Sequence, residues 1–332
     1  MQPRTVRAVL LVVLAYVLTM TGQFWLGYRQ VYTAHPEAAE VMHRAILENH
    51  PPPGKTWQDI GANGTNLRRV SIELAEVVRK ASGLPLFAVY FALDTVFFFC
   101  TVLLLGVYLS RWLAPPWVAL GLLYYGMTTP LTYLFYYSHP WDRLSQLCWL
   151  SALFFLRDRR ALPFAAVLAF GMAVKYDMLA LPLLWAAWTW RPDQRRRWLG
   201  QSLAMFAVAV GVFKVLQWRY PAGYTPLGTG LTATVAVYSQ RLVEELRERA
   251  FAFPPMLMFA LPLGLAFAGW KRLSRLEHLS LLFGCALFGM FSLGSNLREV
   301  RAQVPILYLV LPAALMTLQR LLTDDTAQEP HA

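Results

Sequence analysis

The chain has 332 residues, of which 57% are hydrophobic and 15% charged, and 30 Lys and Arg against 19 Asp and Glu give a net charge of +11. That composition excludes an ordinary soluble domain and makes the bilayer the main solvent. The arginines gather between apolar runs, where the positive-inside rule accounts for them, so nucleic-acid binding is not needed to explain the charge. Cys100, Cys148 and Cys285 each lie inside an apolar run and lack CxxC spacing, which speaks for packing over disulfides or zinc.

A span needs about 20 apolar residues, fewer if it is short or shielded by neighbours, and the chain offers about ten such stretches. They are Ala8–Leu26, Leu86–Ser110, Trp117–Tyr136, Leu144–Leu156, Ala161–Val174, Met178–Trp190, Leu199–Trp218, Phe251–Trp270, His278–Ser295 and Ala302–Leu322. The first follows Arg4 and Arg7, resembles a signal peptide without an A-x-A site, and reads as a retained helix. With a cytoplasmic N-terminus, the cytoplasmic turns collect Arg111, Arg157, Arg159, Arg160, Arg191, Arg195 to Arg197, Lys271, Arg272 and Arg275, and the C-terminus is cytoplasmic too. The expected fold is therefore an all-α, polytopic integral membrane helix bundle over residues 1–322. It would sit in a bacterial inner (cytoplasmic) membrane, with a disordered tail at 323–332.

Two connections are expected outside the cytoplasm. The first, residues 28–85, is long enough to be functional. Pro36 opens a helix that the Pro51–Gly54 run closes, with Glu40 and Arg44 paired at i,i+4. A second helix is expected over about Leu67 to Lys80, with Leu67, Val70, Leu74, Val77 and Val78 inward and Glu76 and Lys80 paired outside. Both suit a membrane surface. The glycine-bearing segment from Trp57 to Arg69 between them reads equally as a ligand-approaching loop and as a plain turn, and Asn63-Gly64-Thr65 fits a glycosylation sequon. The second connection, 219–250, begins with Pro221–Gly230 and continues as a helix with Val235, Tyr238, Leu242 and Leu246 inward.

Ionisable residues at membrane depth mark functional sites by default. Asp94 and Lys214 fall inside apolar runs; Lys214 is expected to snorkel to the interface. His139, Asp142, Arg143, the Lys175-Tyr176-Asp177 run and Arg298-Glu299-Val300-Arg301 all fall on the outer side, which should be poor in arginine. Guanidinium forks and an ammonium there suit a phosphorylated lipid headgroup, and a carboxylate opposite could take a proton from an attacking hydroxyl. That combination suits transfer of a sugar from a lipid-phosphate carrier. The chain has no GxSxG, HExxH, Walker or GxGxxG pattern. Glu40 and His43 at i,i+3, with His35 close by, leave a divalent metal open as a cofactor without requiring one.

The layout resembles the GT-C superfamily of polytopic membrane glycosyltransferases, which use polyprenyl-phosphate sugars. The resemblance rests on the long first outer loop with two surface helices and on the block from Tyr136 to Trp188. It rests also on Gly171-Met-Ala173-Val-Lys175, similar to a GxAxxxK step, and on Asn296-Leu-Arg298-Glu299-Val-Arg301 ahead of a Pro-bearing last helix. Family members carry an acidic residue directly after the first span, whereas Tyr28-Arg29-Gln30-Val31-Tyr32 has none. The resemblance implies Asp59, Glu37 or Glu40 as general base and Lys175, Arg298 and Arg301 as donor-phosphate ligands. His139, Asp142, Arg143, Arg68 and Arg69 would be secondary substrate contacts. Expected partners are membrane lipid, a polyprenyl-phosphate sugar donor and a glycan or lipid acceptor. A transporter or flippase for a lipid-linked glycan, and a non-catalytic membrane partner of the same fold, stay open as alternatives.

Overall fold

The computed structural model describes residues 3–24, 36–57, 67–133, 139, 141–220, 243–244, 247, 255–294 and 300–324. Every regular element among them is helical. The helices are α1 (Pro3–Gly22), α2 (Pro36–Glu48), α3 (Arg69–Ser82), α4 (Leu86–Leu109), α5 (Pro115–Thr128), α6 (Asp142–Arg157), α7 (Ala161–Val174), α8 (Leu181–Thr189), α9 (Arg195–Arg219), α10 (Leu261–Ala268), α11 (Arg275–Gly294) and α12 (Val300–Asp324). The helix expected in 219–250 and the tail lie almost wholly outside the described residues.

Three described helical stretches, Leu86–Leu109, Pro192–Arg219 and Val300–Thr323, are long and apolar enough to cross a membrane. This corrects the expectation of ten spans. Arg7–Gly22, Ala161–Val174 and Met256–Ala268 are apolar but shorter. At a rise of 1.5 Å per residue, the 14 residues of α7 reach only about 21 Å against a hydrocarbon core of about 30 Å. Farther along, a 3-10 turn over Tyr176–Ala180 leaves nine residues for α8.

Polar groups are buried beside the apolar core while several large apolar side chains are exposed. Asp94, Asp142, Arg143, Lys175, Arg301 and Gln303 are buried, whereas Leu162 is 81% and Trp218 82% exposed. Polar groups turned inward and large apolar ones turned outward fit a protein associated with the membrane. Lys214 is exposed and donates to Gln217 at 3.2 Å.

The chain divides into two compact units. One comprises residues 1–18, 102–135 and 235–332. Its core is α12, which packs on α10, α11 and α5. Pro305 and Pro312 lie inside α12, where neither can donate a backbone N–H to the helix. The Tyr125 and Tyr308 hydroxyls meet at 2.9 Å inside this core. At Gly121 an added Cβ would lie 2.7 Å from both Leu109 and Leu315, so glycine is what lets these helices close.

The other unit comprises residues 19–101 and 136–234, where α7 packs on α6, α9 and α3, and α8 packs on α9. Here α2 and α3 begin and end close to expectation. Gly83, at φ +70°, caps α3 by donating its N–H to the Arg79 carbonyl. The buried face of α3 differs from expectation. Arg69, Ser71, Ile72, Ala75 and Glu76 are buried, while Val77 is 64% exposed and Val70, Leu74 and Val78 are half-buried. The inward face is mixed: Ile72 and Ala75 are fully buried, while Arg69 and Glu76 turn inward to the α2 carbonyls and His43.

Candidate functional site

The site grows from two interrupted helices of the second unit. Asp142 is the first residue of α6 and its N–H donates to the His139 carbonyl at 3.0 Å, which sets a carboxylate at the positive end of the helix. Lys175 ends α7 in extended backbone, φ −158° and ψ 119°. The 3-10 turn that follows folds back so closely that the Met178 sulfur occupies the place of a Gly171 Cβ. Gly171 is therefore what permits the turn carrying Lys175, Tyr176 and Asp177.

The Lys175 ammonium lies 3.3 Å from Asp142 Oδ1 and 3.3 Å from Asp177 Oδ2, with the three side chains 10%, 6% and 9% exposed. Trp149 Nε1, two turns along α6, donates to Asp177 Oδ1 at 3.2 Å. Arg143 donates to Gln146 at 2.9 Å and lies over the Phe98 ring. Arg68, just before α3, has its guanidinium 5.1 Å from the centres of both the Trp141 and Tyr176 rings and donates to the Tyr176 hydroxyl at 3.4 Å. His139 stacks on the other ring neighbour, Trp141, at 4.8 Å. Two buried donors here, Arg68 Nε and Trp141 Nε1, have no acceptor among the described residues.

Thus Lys175 meets Asp142, Arg68 and His139 both lie against Trp141, the residue before Asp142, and Arg143 turns to Gln146 and Phe98. Arg69 has a different occupation: its guanidinium binds the Ile46 and Leu47 carbonyls at the end of α2, pairs with Glu73 and covers the Tyr220 ring. It caps α2 and ties it to α3. Glu37 is exposed in the first turn of α2, and Glu40 pairs with Arg44 at 2.9 Å; no described contact joins either to Lys175. Arg301 is buried in the first turn of α12, in the other unit. Asp59 and Arg298 lie outside the described residues.

Sequence reading missed Trp149 and a second buried chain. His43 Nδ1 meets the Tyr90 hydroxyl at 2.6 Å and Nε2 meets Glu76 Oε2 at 3.1 Å, so α2, α3 and α4 are joined through one imidazole. Glu76, expected on the outer face, is turned inward and also binds Arg79 at 2.8 Å and Lys80 at 3.4 Å. Its hydrogen bonds with Arg79, and then with His43 and Lys80, pull the carboxyl down to about 2 against burial. Burial lowers the affinity of His43 for a proton, although Glu76 opposes that. The i,i+3 spacing of Glu40 and His43 does not make a ligand pair, since both His43 nitrogens are engaged. Among the described residues no three His, Cys, Asp or Glu side chains come together to hold a metal.

A search against protein-family models, curated proteins and solved structures finds no match to this chain.

Proposed function

We propose that the protein is a membrane glycosyltransferase that moves a sugar from a polyprenyl-phosphate carrier to a glycan or lipid acceptor on the extracytoplasmic side. The observation that carries this reading is the pair of buried donors, Arg68 Nε and Trp141 Nε1, without acceptors beside the Lys175 ammonium. Leaving such a donor unpaired costs about 1–3 kcal/mol, and phosphate oxygens are the acceptors that guanidinium and ammonium groups hold best. In the transfer, a first-loop carboxylate, with Asp59 the leading choice, takes the acceptor hydroxyl's proton as that oxygen bonds to the sugar C1. The C1–O bond to phosphate breaks, and Arg68 and Lys175 neutralise the departing phosphate. Asp142 and Asp177 hold Lys175 in place.

The test is transfer of label from a radiolabelled polyprenyl-phosphate sugar by purified protein in liposomes. Asp59→Asn should lose about 100-fold or more. Arg68→Ala and Trp141→Phe, each removing one of the two unpaired donors, should weaken donor use. Equal transfer by all three and the wild type refutes the site. A flippase for a lipid-linked glycan is the second reading, favoured by the charge of Lys175 being already matched by two buried carboxylates. Donor binding and movement across the bilayer with no transfer by the wild type would establish it instead.

A further inference from the structure

The unit built around α12 contains a groove of about 540 Å³ between the start of α1, the end of α4 and the start of α5. Its walls are aliphatic, chiefly Leu10, Leu11, Leu14, Val107 and Val118, and its polar lining comes from Arg7 and Ser110. The space exists because small residues, Ala8, Gly106 and Ala119, face it from all three helices. Leu11 lies so close to Gly106 that an added Cβ would sit 2.8 Å from its Cδ1. Arg7 is exposed and has no hydrogen bond or ion pair among the described residues, and the Ser110 hydroxyl, which donates to the Val107 carbonyl at 2.8 Å, keeps lone pairs to accept with. Beside the groove α1 presents exposed Leu10, Val13 and Val17.

We propose that this groove is a site for one acyl chain of an anionic phospholipid whose headgroup rests on Arg7. An unpaired cation at the rim of an aliphatic slot matches a lipid's charge order, and the slot opens onto an apolar helix face that suits hydrocarbon. Two turns of helix with side chains would fill roughly 1,000 Å³, so the groove is too small for a helical segment of a partner or of a second copy. Bulk lipid is as apolar as the groove, so burial of the chain does not select this site. Selection comes from the headgroup charge at Arg7, which sets an anionic over a zwitterionic lipid by about five-fold. The site depends on membrane association and not on glycosyl transfer.

The experiment is native mass spectrometry of the full chain released from bilayers of equal phosphatidylglycerol and phosphatidylcholine. The wild type should retain one phosphatidylglycerol in about five-fold preference. Arg7→Gln should abolish the preference, Ala8→Trp, which fills the groove from an exposed position, should abolish retention of either lipid, and Arg195→Gln, on an exposed arginine of α9, should change nothing. Retention of both lipids alike by the wild type, an unchanged preference in Arg7→Gln, or wild-type retention by an Ala8→Trp protein that keeps its melting temperature would each overturn the proposal. So would loss of the preference in Arg195→Gln.

Discussion

Lys175→Met is the most informative single perturbation of the buried cluster. In the native protein one ammonium lies 3.3 Å from each of two carboxylates, none of the three more than 10% exposed. Removing it leaves two buried negative charges whose oxygens are at most about 6.6 Å apart, and at an effective dielectric of 20 their repulsion alone is on the order of 2.5 kcal/mol. Loss of a buried partner in other proteins costs about 3–5 kcal/mol, and we take about 4 for this site. Over a chain of this length that is a fall in melting temperature on the order of 5 °C. Asp177→Asn should cost only about 1 kcal/mol, because Lys175 and Asp142 stay as a neutral pair and the Trp149 indole keeps an acceptor. The triple variant Lys175→Met, Asp142→Asn, Asp177→Asn removes every charge and should regain most of the loss. Thermal unfolding in one detergent, followed by tryptophan fluorescence, gives the order. A Lys175→Met protein as stable as Asp177→Asn, or a triple variant as unstable as Lys175→Met, would refute the charge argument.

The join between α2, α3 and α4 should weaken in acid. Burial holds the His43 imidazole below its ordinary 6.5, so below that pH the unfolded chain binds the extra proton and stability falls as the pH drops. Glu76, held at about 2 mainly by Arg79 against an ordinary 4.5, contributes fully above pH 4.5 and loses that contribution as the pH falls toward 2. Hydrogen-exchange protection factors of α2 and α3, corrected for the intrinsic rate, should therefore fall as the pH drops from 6.5 to 4 in the wild type, with a flatter profile in His43→Phe; matching profiles would count against the imidazole. Gly171→Leu must displace Met178 and with it the turn carrying Lys175, at a cost of about 1–3 kcal/mol, and a variant with wild-type stability would show that the turn can move aside. Tyr125→Phe should lose about 1 kcal/mol by removing the hydrogen bond between the Tyr125 and Tyr308 hydroxyls, measured by the same unfolding assay.

Much of the local structure was legible. Ala161–Val174 has the bounds expected from its flanking Arg160 and Lys175, and Pro36 and Gly83 mark helix limits through backbone rules that act within a turn. That Asp142 and Lys175, 33 residues apart, carry charge between apolar runs was legible as well, and charges so placed have to find one another when no water is near. The number of spans was not. Hydropathy measures how apolar a run is, and the same value serves a helix that crosses lipid and one that packs inside a unit. In α9 only 17% of the apolar stretch is buried, in α12 67%, and nothing in their compositions announces the difference.

Side-chain partnership likewise came only from tertiary structure. Arg68 and Arg69 are adjacent in sequence and equal in charge, yet one is stacked between two rings at the candidate site and the other closes the end of a helix. Glu76 had a surface partner at i,i+4 and found a buried histidine 33 residues away as well. By itself the sequence determined that the chain is helical, that it associates with the membrane, and where its charges gather, since propensity, hydropathy and charge are properties of short stretches. Which face of α3 turned inward, which arginine meets the site and where the groove opens were decided by packing, because those outcomes depend on what the rest of the fold presents to each residue.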